Sequence, residues 1–240
     1  KAFLVDESSQ MRGHAFLTSS SEDEVAQESD VIGGSYFTHH LVSGLRGAAD
    51  FSGDGKVTLG EAYQHAFHET LAQTTDTRSS AQHPAYDINL AGTGDFVMTD
   101  LRETSAGLLL GEDLDGRFYV RNEKKQLIVE LTKPAGRAVT IGLEPGTYDV
   151  HFEQPKALGL AKIELRDDEH VELDRKDFRS IDLKEAAALR GKRRGPRPTR
   201  LERRHRLQLH FGYAQGGSQQ TQAGHVSTDG VMGGVLYGWW

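Results

Sequence analysis

Twelve consecutive residues constrain this chain more than any other feature: Asp50-Phe51-Ser52-Gly53-Asp54-Gly55-Lys56-Val57-Thr58-Leu59-Gly60-Glu61. Oxygen-bearing side chains stand at places one, three and five, a glycine at place six where the backbone turns with φ > 0, and a glutamate at place twelve. That is the spacing of an EF-hand calcium loop. Asp50, Ser52 and Asp54 are the expected side-chain ligands, Lys56 gives its backbone carbonyl, Thr58 a hydroxyl or a bridging water, and Glu61 a bidentate carboxylate. Calcium, a hard cation that takes six to eight oxygens, suits this set. Against it stands the plainer reading of a Gly/Asp-rich turn held by local side-chain bonds without metal. Ser52 is a neutral ligand where a carboxylate would bind more strongly, and the sequence contains one such loop only.

The loop requires helical flanks, and the surrounding pattern predicts them. Phe37, Leu41 and Leu45 recur on one helical face. Thr58-Leu59-Gly60-Glu61 is a capping box opening a second helix, with Ala62, Tyr63, Ala66, Phe67 and Leu71 on one side. Residues 13–19 read as a buried strand, 74–86 as polar loop and 94–99 as another strand. Strands alternating with helices predict an α/β region over residues 1–103. From 104 to 182 the period shortens to strand-like runs at 106–110, 116–120, 126–132, 137–143, 147–153 and 159–165, with Glu144-Pro145-Gly146 as a turn. These predict an all-β antiparallel sandwich, a packing or binding module with no visible chemistry.

The net charge of −7 conceals a segregation. Residues 1–100 hold 5 basic and 15 acidic side chains, a poor nucleic-acid surface, so no specific nucleic-acid partner is expected there. Residues 190–206 hold nine basic side chains against Glu202, within a basic linker at 183–206 broken by Gly191, Gly195, Pro196 and Pro198. Nucleic-acid affinity through that stretch would collapse with salt. Beyond it, residues 207–240 begin a β-region. The alternation from Leu207 to Ala214 and the aromatic end at Tyr237, Trp239 and Trp240 fit either a soluble β-hairpin or the start of an outer-membrane barrel, which makes a membrane a candidate partner through this segment alone.

The chain has no cysteine, which excludes disulfides, thiolate zinc sites and a cysteine nucleophile within these residues. His65 and His68 share a helix face near Glu69 and Glu61, but there is no H-E-x-x-H, so solvent-facing histidines are expected rather than zinc. Neither a G-x-S-x-G elbow nor a phosphate loop is present. Motifs alone assign no catalysis. A chain that begins at Lys1 reads as a fragment.

The succession Ala15-Phe16-Leu17-Thr18-Ser19-Ser20-Ser21-Glu22-Asp23-Glu24-Val25-Ala26-Gln27-Glu28-Ser29, then Gly33-Gly34-Ser35-Tyr36-Phe37-Thr38-His39-His40-Leu41, then the calcium-like loop and Gln82-His83-Pro84, has a further meaning. Over roughly residues 1–100 it resembles the small-subunit half of bacterial caspase-like cysteine peptidases, relatives of metacaspases and orthocaspases. The resemblance implies half of a caspase-like sheet with flanking helices, and Cys-His nucleophilic attack on a peptide carbonyl. It also implies that the catalytic Cys and His lie upstream, so the partners are that catalytic half and a peptide or protein substrate. Relatives of this kind prefer Arg or Lys before the scissile bond, which calls for a carboxylate. Glu28 is the first candidate and Asp23 the second. The Arg-rich linker then reads as a processing site, and the sandwich resembles carboxypeptidase-regulatory-type modules through Leu143-Glu144-Pro145-Gly146-Thr147-Tyr148. A half sheet on its own should expose an unpaired edge. The competing reading is a non-catalytic calcium-binding envelope or adhesion module. The compartment stays open between the bacterial cell envelope and the cytoplasm.

Overall fold

The computed structural model describes residues 12–30, 32–75, 77, 80–92, 95–155 and 157–181, with the backbone of 205–214 and 230–239. The fold is mixed and mostly strand, with two α-helices. The basic stretch at 183–204 lies outside the described residues.

The first unit runs β1 (Arg12–Thr18), β2 (Glu28–Ser29), β3 (Gly34–Ser35), α1 (Tyr36–Ser43), β4 (Lys56–Thr58), α2 (Leu59–Thr74), β5 (Ala85–Ala91) and β6 (Val97–Asp100). β1 alternates half-buried and buried residues from His14 to Thr18, and Ala15 and Leu17 point into a core shared with Phe37 and Leu41 of α1 and Ala62 and Ala66 of α2. Burying a side chain such as Leu17 contributes about 2 kcal/mol. α2 starts where the capping box places it: Thr58 Oγ1 accepts from the Glu61 N–H at 3.3 Å, and Glu61 Oε2 accepts from the Thr58 N–H at 3.0 Å. α1 is shorter than its apolar face suggests. After Ser43 the chain widens into a π turn, Gly44–Ala48, and breaks at Gly47, whose φ of 118° suits glycine.

Two strand expectations change here. The partner of β1 is β5, paired antiparallel from Arg12↔Ala91 to Thr18↔Ala85, and its first residues fall in what reads as polar loop. The strand expected at 94–99 starts at Val97 and pairs instead with β4, Lys56 opposite Asp100 and Thr58 opposite Val97.

The second unit comprises β7 (Ala106–Leu110), β8 (Gly116–Asn122), β9 (Leu127–Lys133), β10 (Val139–Leu143), β11 (Gly146–Gln154), β12 (Ala157–Leu165), β13 (Glu169–Leu173) and β14 (Arg179–Ile181). A three-stranded sheet, β10-β7-β13, faces a five-stranded one, β14-β12-β11-β8-β9. Their inner faces meet in one core that includes Leu108 and Ile141 from the first, and Phe118, Val129, Val150 and Leu165 from the second. The pairing is not antiparallel throughout, because β13 runs parallel to β7. β12 and β13 belong to different sheets, so the short exposed connection at 166–168 passes from one sheet to the other and no hairpin sets the direction of β13.

β15 (His205–Ala214) and β16 (Gly230–Trp239) form an antiparallel hairpin. It does not stand apart: β15 pairs with β1 from Gly13↔Phe211 to Thr18↔Arg206, giving the order β16-β15-β1-β5. The unpaired edge expected of a half sheet is therefore occupied, and the N–H and C=O groups of β1 are satisfied on both sides.

The units meet closely. Ala48 packs in the core of the two-sheet unit, while its neighbour Ala49 packs in the helical one.

Candidate functional site

The loop between Ala49 and α2 is wound around its first residue. The Asp50 carboxylate is buried and accepts from the N–H groups of Gly53 at 2.7 Å and Gly55 at 3.1 Å, with the Ser52 hydroxyl at 3.3 Å. Gly53 and Gly55 hold φ of 72° and 80°, the left-handed turn that place six requires. Asp54 accepts from the Lys56 N–H at 2.8 Å, and Glu61 Oε1 accepts from the Ser52 N–H at 3.1 Å, so the carboxylate at place twelve spans the loop to place three. β4 lies at places seven to nine, and β6 pairs with it, so this single loop needs no sister loop to cover that edge. Among the described residues no three His, Cys, Asp or Glu side chains converge as a ready-made metal cluster. The loop carboxylates are closed onto backbone amides instead, with Ser52 and Asp54 exposed. The donor set, all oxygen with three carboxylates, fits a hard cation.

A second constellation forms at the end of β1. Gln82 is fully buried. Its Oε1 accepts from the Gln27 N–H at 2.7 Å, its Nε2 donates to the Ser19 carbonyl, and its own N–H donates to Thr74 Oγ1 at 2.9 Å. Next to it, Glu24 accepts from the backbone N–H of His83 and meets His83 Nδ1, both at 2.6 Å. Burial pushes the Glu24 carboxyl up, but these bonds from His83 outweigh it and hold the group below its ordinary range. The structure thus joins the stretch 19–28 to Gln82-His83. Asp23 is exposed in this loop, and Glu28 is half-buried on β2, opposite Ser35.

A third constellation, between the two units, is absent from the sequence reading. His40 is 0% exposed and His65 6%, which corrects the expectation of solvent-facing histidines. His68 is exposed, so the two do not share an environment that would hold zinc. Burial, then the charge of His39, drives His40 down to about 3 and His65 to about 4. Glu130 of β9 stands 3.5 Å from His39 Nε2 and accepts from Arg117 Nε at 2.8 Å, while Arg117 Nη2 donates to Glu69 of α2 at 3.1 Å. Burial raises Glu130, yet His39, Arg117 and His40 bring it to about 2. Burial likewise lifts Glu69. The one available signal was Glu130 interrupting the apolar run Leu127-Ile128-Val129-Glu130-Leu131. Beside this cluster a cleft of about 260 Å³ opens between Gly34, Thr38 and His39 on one side and Leu127 and Ile128 on the other.

Among the described residues no helix is long and apolar enough to cross a membrane, which says nothing of a β-barrel. No family model matches the chain, and neither a curated protein nor a solved structure is found to be similar to it.

Proposed function

We propose that residues 50–61 bind calcium in the manner of an EF-hand loop, within a chain that is part of a caspase-like cysteine endopeptidase. One observation carries the calcium reading: the Asp50 carboxylate gathers the N–H groups of Gly53 and Gly55 while Glu61 reaches back to Ser52. Those bonds shape the loop around its first and last acidic places. Asp50, Ser52, Asp54 and Glu61 would hold the ion by side-chain oxygens and Lys56 by its carbonyl, and calcium would offset two of the three negative charges of the loop carboxylates. Calorimetric titration of the chain and of Glu61→Gln tests this. The first should give binding heats and the second at least roughly tenfold weaker binding, because the bidentate ligand is lost. Equal heats, or none in either, would remove the site.

The peptidase reading rests on the resemblance and is favoured by one arrangement, the docking of Gln82 and His83 onto Ser19, Glu24 and Gln27. Asp23 lies in this loop and Glu28 on β2 at its end, where a basic substrate side chain would find a carboxylate. The Cys and His of the mechanism would come from outside these residues, which contain no cysteine. Strands bearing them would pair with β1, so β15 would have to yield that edge. The test is cleavage of Arg- and Lys-containing peptides by the protein joined to its catalytic half. Glu28→Gln should lower kcat/KM for basic residues selectively, and equal loss on neutral peptides would count against its role. The competing calcium-binding envelope or adhesion module predicts no cleavage at all.

A further inference from the structure

The two units also touch at the calcium-like loop itself. Arg137, just before β10, donates from Nη2 to the Asp50 carbonyl at 2.5 Å and from Nη1 to the Phe51 carbonyl at 2.9 Å. Its Nε is buried without a partner, so the guanidinium is held against the loop with one N–H unsatisfied. Three residues further on, the Thr140 carbonyl lies 2.1 Å from where a Cβ at Gly47 would stand. Residues 137–140 thus clasp both the turn that leads into the loop and the first two loop residues.

We infer that Arg137 is a positioning residue for the calcium loop and that calcium binding is thereby linked to docking of the two-sheet unit, an inference that rests on the calcium reading above. The route is short. The guanidinium fixes the Asp50 and Phe51 peptides through their carbonyls and leaves the Asp50 carboxylate to the loop interior. A planar fork that reaches two successive carbonyls is a geometry lysine does not reproduce. Linked equilibria are reciprocal: whatever docking adds to calcium affinity, calcium returns to docking. Simple charge acts in the opposite sense, because a guanidinium repels a nearby divalent cation. The two effects give opposite signs when Arg137 is removed, and the positional one prevails because the guanidinium engages carbonyls rather than the ligand carboxylates.

Calcium chloride is titrated calorimetrically into the 240-residue chain, Arg137→Ala and Arg137→Lys, with circular dichroism reporting folding. Kd should rise about tenfold in Arg137→Ala and rise also in Arg137→Lys, which keeps the charge and loses the fork. Unchanged or tighter binding in the variants, with normal binding in the parent chain, overturns the inference and leaves the calcium reading standing. If the parent chain takes up no calcium, that reading falls and the inference with it. Should Arg137→Ala not fold, Arg137→Lys decides the matter alone.

Discussion

Glu130 accepts a hydrogen bond from Arg117 Nε at 2.8 Å, and the pair is wedged beneath the two helices of the other unit. Because Arg117 also serves Glu69, its removal strands two carboxylates in a poorly solvated place. Arg117→Met should destabilise the fold by about 3 kcal/mol, the usual result of breaking a buried pair from one side. Adding Glu130→Gln and Glu69→Gln should recover part of that loss. Urea midpoints at constant m-value measure both effects.

The buried imidazoles set an acid limit. Both His40 and His65 have folded-state values below the ordinary 6.5, so the stability tied to their neutral forms is present above that pH and is lost as pH falls through it. By pH 5 each costs about 2 kcal/mol. Glu69, lifted by burial, takes up protons in the folded state and offsets a part. Urea midpoints should therefore fall between pH 7 and 5, and His40→Met should flatten the slope by about one proton.

The Gln82 side chain holds two buried backbone groups, the Gln27 N–H and the Ser19 carbonyl. Gln82→Leu should cost about 1–3 kcal/mol for the Gln27 N–H, which loses its acceptor. Amide exchange at Gln27 should accelerate in step, and unchanged exchange there would refute this account of the loop.

Gly47 and Gly53 make a matched comparison. Both have positive φ, but a Cβ at Gly53 meets nothing within 4 Å, whereas at Gly47 it strikes the Thr140 carbonyl. Gly53→Ala should cost about 1 kcal/mol of backbone strain. Gly47→Ala should cost several times more, read as the difference in thermal midpoints.

What was legible in the sequence follows from physics that acts locally. The Thr58–Glu61 box places the start of α2 because both partners lie within one turn. The runs that became β7 to β12 are legible because both sheets bury their inner faces, so apolar residues mark each strand. β5 was harder. Tyr86, Ile88 and Leu90 alternate, but Tyr86 is 58% exposed, and the segment gains its strand character from pairing with distant β1. The parallel direction of β13 is likewise set by the crossing between sheets. The histidine cluster was hidden for a third reason: its charges come from β8, β9, α1 and α2, and no spacing along one element announces them. Of the calcium loop, its turn glycines and hydrogen-bonding places were readable residue by residue, whereas Arg137, 87 positions from Asp50, was not.

Ala48 and Ala49 lie on opposite sides of a boundary that is one peptide bond wide. A cut near residue 103, where the periodicity changes, would take the two-sheet unit away from a methyl group that its core encloses and leave a socket open to water. Melting should then proceed as one calorimetric event in the intact chain, with equal van't Hoff and calorimetric enthalpies. Grafting the two-sheet unit elsewhere would require carrying a surrogate for residues 44–49 along with it.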